Sequence, residues 1–206
     1  MFENTEEEVR YALDAIQYEI FNLIQSDKYI PMSTQTISKA SPITFKYICK
    51  RMFVFEKACP YTVSYVEFES DMQNGSARHI GKTIEISEML PSVTKFETLT
   101  HEWAHQILHL RSNAPKAEYV VKELEAESVS FIVGYILGTV DEVSHSYINE
   151  KLEEVEQDRV RRLELAKKLF TQSEKRIVRA AMTMLKKLQP ERKQLEYHHR
   201  NGGKYL

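Results

Sequence analysis

From Lys95 to Leu110 the chain has no Gly or Pro, and Phe96, Leu99, Trp103, Ile107 and Leu110 recur at spacings of three and four. That is the period of a helix with one apolar stripe. Beside the stripe lies His101-Glu102-Trp103-Ala104-His105. Helical positions i and i+4 share a face, so His101 and His105 point toward the protein together and can hold one metal ion between them. Glu102, next to the first ligand, is placed as a general base, which completes an H-E-x-x-H arrangement. Pro91 and Ser92 mark the start of this helix. The pentapeptide fixes only three residues, so its surroundings have to supply the rest.

A catalytic zinc takes three protein ligands and keeps a position for water. A second helical run spans residues 117–137, with Val120, Leu124, Phe131 and Leu137 on a broad apolar face. Within it, Glu123 and Glu127 are four apart and share a face, while Glu125 points elsewhere. Glu123 is the expected third ligand. Glu127 is expected to accept the spare N–H of a ligand histidine and fix its tautomer. The bland alternative is that all three glutamates form a solvated helix face.

The run Thr98-Leu-Thr-His-Glu-Trp-Ala-His-Gln-Ile-Leu-His109, followed by Glu123-Leu-Glu-Ala-Glu-Ser-Val-Ser-Phe131, resembles the ImmA/IrrE family of metallopeptidases. It is most similar to the LtrC-like and ArdC-like branch of mobile elements. The resemblance covers about residues 80–150. It implies an α+β zincin-like domain with His101, His105 and Glu123 on one Zn2+ per chain and Glu102 as the catalytic carboxylate. Asn often stands in the family where Glu127 stands here, and either side chain can accept a hydrogen bond from the first histidine. Trp103 replaces the common Leu or Ile. The resemblance also implies a protein substrate, such as a transcriptional repressor or other regulator.

Other residues are candidates for the same site. His109, one turn beyond His105, is expected near the metal as a supporting group or substrate contact. Tyr119, one turn before Glu123, is either a core tyrosine or a phenol that donates to the oxyanion of a tetrahedral intermediate. His145 and Tyr147 follow the second site helix and are the remaining groups that can return toward the cleft. His198-His199 read as surface residues.

The expected organisation is a metallopeptidase domain over 1–150, mostly helical with a small antiparallel sheet. A helical extension over 151–190 and a mobile basic tail over 191–206 follow. Residues 4–28 form a helix whose stripe is Val9, Leu13, Ile16, Ile20, Leu23 and Ile24, and its acidic first turn suits the helix dipole. The period of Phe45, Ile48, Met52 and Phe55 suggests a helix over Thr44 to Phe55. Two or three strands follow, over Tyr61 to Glu69 and His79 to Ser87, with Asn74-Gly75 as a turn signal. Gly81 to Glu88 is the expected edge strand, where an extended substrate would pair. Toward the C-terminus, helices are expected over Ile148 to Phe170 and Ser173 to Leu188, closed by Pro190.

No apolar stretch reaches the 18 or more residues needed to span a bilayer. The N-terminus carries Glu3, Glu6, Glu7 and Glu8, not a basic leader. Cys49 and Cys59 read as reduced thiols. A cytoplasmic protein with no membrane partner is therefore expected. From Gln157 onward there are 14 Lys+Arg against 5 Asp+Glu, and before it 14 against 25. The basic quarter either binds nucleic acid or folds against the acidic part and cancels charge there. The first option motivates an alternative function, an antirestriction or DNA-associated binding protein on a zincin frame. Intact Glu102 argues against it, since a structural zinc has no use for a general base.

Overall fold

In Thr83-Ile84-Glu85-Ile86-Ser87, Ile84 and Ile86 are fully buried and their neighbours are not. One face of this strand therefore lies on the core. The computed structural model describes residues 5–26, 52–69, 74–78, 82–110, 118–137 and 144–200, excepting the side chains of 5, 26, 93, 144, 145 and 189–200. Its elements are α1 (Thr5–Ser26), α2 (residues 52–58), β1 (Thr62–Val66), β2 (Gly75–Arg78), β3 (Thr83–Ser87), α3 (Ser92–Leu108), α4 (Tyr119–Leu137), α5 (Ser144–Val155) and α6 (Arg159–Arg200). The class is α+β, mostly helical, with one three-stranded sheet.

The sheet corrects two expectations. Its order is β1-β3-β2, so β3 is central, paired parallel with β1 and antiparallel with β2. The sheet is mixed, not antiparallel. The chain runs forward in β1, back in β2 and forward again in β3, and β3 inserts between the other two because it carries the buried isoleucine pair. A central strand cannot accept an extended peptide, so the edge strand is not Gly81 to Glu88. Asn74-Gly75 is not a hairpin tip either. Gly75 opens β2, and the Asn74 carbonyl accepts from the Ser87 N–H at 2.8 Å.

Helix α4 is central to the helical layer. Thirteen of its residues are buried, Glu123 and Glu125 among them, and it packs on α1, α3, α5 and α6. The α1 stripe of Val9, Leu13, Ile16, Ile20 and Ile24 joins the same core as Trp103, Leu124, Phe170 and Ile177. Between α3 and α4 the Thr100 and Ser130 hydroxyls meet at 2.7 Å in a buried contact, and Ser130 also donates to the Glu97 carbonyl at 3.2 Å. These bonds allow few relative positions of the two helices, and so place α4 glutamates opposite α3 histidines.

The C-terminal helices begin and end differently from the periodicity reading. Asp158 starts a new helix inside the expected 148–170 segment: its carboxylate accepts from the Arg161 N–H at 3.0 Å, the geometry of an N-cap. From there α6 runs unbroken through Pro190 to Arg200. Proline removes one N–H from the ladder, and the good helix formers on both sides carry the helix past it. The apolar face of α6 (Ala166, Leu169, Phe170, Ile177, Ala181, Met184, Leu188) is buried against α1 and α4. Residues 44–51 of the expected second helix, Cys49, Gly81 and residues 201–206 lie outside the described residues; Met52 and Phe55 lie on α2, buried. No helix among the described residues is long and apolar enough to cross a membrane.

Candidate metal centre

His101 and His105 face α4 from adjacent turns of α3, their rings crossing edge to face with centroids 4.7 Å apart. Their Nε2 atoms lie 3.0 Å from each other. Glu123 stands across from both, with Oε1 at 3.4 Å from His105 Nε2 and Oε2 at 3.6 Å from His101 Nε2. One donor atom from each of the three residues lies within 4.8 Å of the other two. Ligands about 2.0–2.1 Å from a tetrahedral zinc are roughly 3.3 Å from each other, so the spacing fits such an ion with little movement.

The surroundings prepare the histidines as ligands. His101 Nδ1 is 2.8 Å from Glu127 Oε2. A carboxylate only accepts, so Nδ1 carries the hydrogen, and Nε2 is the nitrogen at which a cation would displace a proton. Burial works against a charged His101, but hydrogen bonds to Glu123 and Glu127 and the charges of Glu127 and Glu102 outweigh it and raise its pKa to about 10. Burial and the positive charge on His101 push His105 down to about 3. The two shifts are opposite: the carboxylates hold a positive charge on His101, and that charge together with burial keeps His105 neutral.

Glu102 lies against Gly75 of β2 and interacts electrostatically with His101 and Glu123. It is buried, and the Ala77 N–H of β2 hydrogen-bonds to its carboxylate. Burial, with the Glu123 charge adding and His101 and the Ala77 bond opposing, raises it to about 7. Such a carboxyl exchanges a proton readily near neutrality. Gly75 permits this approach: a Cβ there would sit 2.5 Å from Thr98 Cγ2 and 3.0 Å from Glu102 Cγ. One turn beyond, Gln106 Nε2 donates to the Arg78 and Thr83 carbonyls at 2.9 and 3.0 Å, fastening the β2–β3 end to α3. Gly75→Ala is therefore expected to cost about 1–3 kcal/mol through overpacking and to displace Glu102. Chemical denaturation checks this, and Thr98→Ser, which removes the crowding methyl, should restore part of the loss.

The remaining candidates fall as follows. Tyr119 is 59% exposed, and the phenol that reaches a proposed ligand is Tyr147, whose Oη donates to Glu123 Oε2 at 2.9 Å. Tyr119 opens α4 and its side chain hydrogen-bonds to Tyr147, which α5 carries back across the site. His109 caps α3 with non-helical backbone angles, which turns it out of the ligand face. Its Nε2 lies 3.7 Å from Glu125 Oε2 and its ring stands behind His105, 5.4 Å between centroids. His109 thus belongs to a buried group with Glu125, where Ser173 Oγ and Arg176 Nε donate to Glu125 Oε1 at 2.6 and 2.8 Å. The side chains of His145, His198 and His199 lie outside the described residues.

Sequence reasoning missed Gly75, Ala77 and Gln106. Gln106 carried a signal, as a polar residue four after Glu102; the backbone of Ala77 carried none. No family model, curated protein or solved structure matches the chain.

Proposed function

We propose that the protein is a zinc-dependent metallopeptidase of zincin type, related to the ImmA/IrrE group, that cleaves a protein substrate such as a transcriptional regulator in the cytoplasm. The observation that carries this reading is the convergence of His101, His105 and Glu123 at 3.0–3.6 Å, with a buried carboxylate, Glu102, on the adjoining residue. A zinc ion held there would supply an acidified water and polarise the scissile carbonyl. Glu102 takes a proton from the attacking water and delivers it to the leaving amine nitrogen. The Ala77 N–H orients the carboxylate, and burial keeps its basicity matched to neutral pH. Strand β2, with β3 as its one strand neighbour among the described residues, passes Glu102 and is the edge beside which an extended peptide would lie.

About one zinc per chain is expected by elemental analysis. His105→Ala should lose most of it, since two donors hold zinc far less tightly than three. Full zinc in that variant would overturn the ligand assignment. Capture of a substrate by Glu102→Gln, then its cleavage by the unaltered protein and not by the chelated one, tests the activity.

A second reading rests on α6. Its contact with the rest of the chain is mainly apolar, and its described ion pairs to other elements are Arg10–Glu174, Arg162–Glu153 and Arg176–Glu125. Charge cancellation is thus limited. Lys168, Lys175, Arg179 and Lys186 are exposed and have no ion-pair partner among the described residues. At 100° per residue they fall within roughly 40° of one line over about 27 Å of helix, a stripe suited to a polyanion such as nucleic acid. If this stripe binds duplex DNA, four contacts predict a slope of roughly −3 to −4 in log affinity against log salt. A gel shift that is salt-insensitive, or that survives replacing the four by Glu, would exclude the reading.

A further inference from the structure

Glu123 has two oxygens, and the structure treats them differently. Oε1 lies 3.4 Å from His105 Nε2 and Oε2 3.6 Å from His101 Nε2, and Oε2 in addition accepts a hydrogen bond from Tyr147 Oη at 2.9 Å. The carboxylate is 8% exposed, so water has little access to replace the phenol. Tyr147 is held in place from several sides. Its ring meets the His101 ring edge to face at 6.4 Å. Ile148, next in sequence, is buried in the core. Lys151, one turn along α5, places its Nζ 5.5 Å from the Tyr147 ring.

We propose that Tyr147 is a positioning residue for the metal, donating to Glu123 Oε2 so that the carboxylate binds through Oε1 alone. The inference rests on the metal reading above and goes beyond it, to how many coordination positions remain. Two histidines and one carboxylate oxygen leave a tetrahedral position for water. A carboxylate bound through both oxygens would fill that position or force a fifth. The phenol takes one lone pair of Oε2 and ties that oxygen to α5, which opposes the rotation that two-oxygen binding requires. Hydrogen bonds behind a ligand are commonly worth 10- to 100-fold in metal affinity.

The test uses the full chain, loaded with zinc or cobalt(II), as the unaltered protein, Tyr147→Phe and Tyr18→Phe. Zinc affinity is read by chelator competition and coordination number by the cobalt visible spectrum. Tyr147→Phe should bind zinc about 10- to 100-fold more weakly, and its cobalt bands should weaken as four-coordination gives way to five. Tyr18→Phe, at an exposed position of α1, should match the unaltered protein in both. Equal affinity and spectrum in Tyr147→Phe, or the same changes in Tyr18→Phe, would overturn the inference and leave the metal site standing. An unaltered protein that binds neither ion would overturn the metal site, and the inference with it. Circular dichroism of the chelated forms checks folding. Should Tyr147→Phe not fold, the ultraviolet difference spectrum of Tyr18→Phe on zinc addition decides instead: a tyrosine band is expected, because charge drawn from Glu123 weakens the phenol bond, and a silent spectrum would overturn the inference.

Discussion

Glu102→Gln is expected to give a folded, zinc-loaded protein that captures its substrate and cleaves it about 10² to 10⁴ times more slowly, the usual cost of losing a general base. Shape is nearly kept. The amide oxygen can still accept from the Ala77 N–H that orients Glu102, and the close approach of Gly75 tolerates a side chain of the same length. Metal is kept because the donors that converge are His101, His105 and Glu123. What is lost is the one carboxylate beside the site able to take a proton from water and return it to the amine. The measurement compares cleavage by the unaltered protein, by Glu102→Gln and by the chelated protein, using the substrate captured by the variant. If Glu102→Gln cleaves as fast as the unaltered protein, this site does not hydrolyse peptides, and the basic stripe of α6 becomes the better guide to function.

The parts of this site readable from sequence are those one helix fixes by itself. His101 and His105 share a face because they are four apart, and so do Glu123 and Glu127. Two amphipathic helices with complementary polar patches then have one sensible way to meet, which is the arrangement with Glu127 on His101 Nδ1 at 2.8 Å. Relations between distant segments left weaker traces. The parallel pairing of β1 with β3 depends on which strand enters the middle, and residue alternation says which face is buried, not which neighbour is taken. Tyr147 reaches Glu123 only because α5 folds back over α4, and nothing local to Ser-His-Ser-Tyr announces that return. Gly75 could be read as a turn residue or as a place where backbone approaches another group, and the second holds here. Asp158 offered a cap signal that a broad charged period obscured.

Glu125 shows how a correct face assignment can still understate a residue. Two positions from Glu123, it points away from the metal donors, so its loss should leave zinc binding nearly intact in the folded protein. It is also 1% exposed and accepts from Ser173 and Arg176 of α6, with His109 at 3.7 Å. Glu125→Ala would strand Arg176 and the Ser173 hydroxyl beside a new cavity. Breaking a buried, hydrogen-bonded pair by removing one partner costs about 3–5 kcal/mol. Arg176 is 41% exposed and can turn to water, which reduces the expected loss to about 2–3 kcal/mol. For a chain of this size that lowers the melting temperature by roughly 5–10 °C. Glu125→Gln, which still accepts from both donors, should lose less. Glu123→Ala should behave in the opposite way, losing zinc with a smaller change in the melting temperature of the chelated protein. Thermal melts with chelator, paired with elemental analysis of the folded proteins, separate the two residues. If Glu125→Ala melted unchanged and lost zinc, α4 would have to be turned by about half a revolution, and both glutamate assignments would fall together.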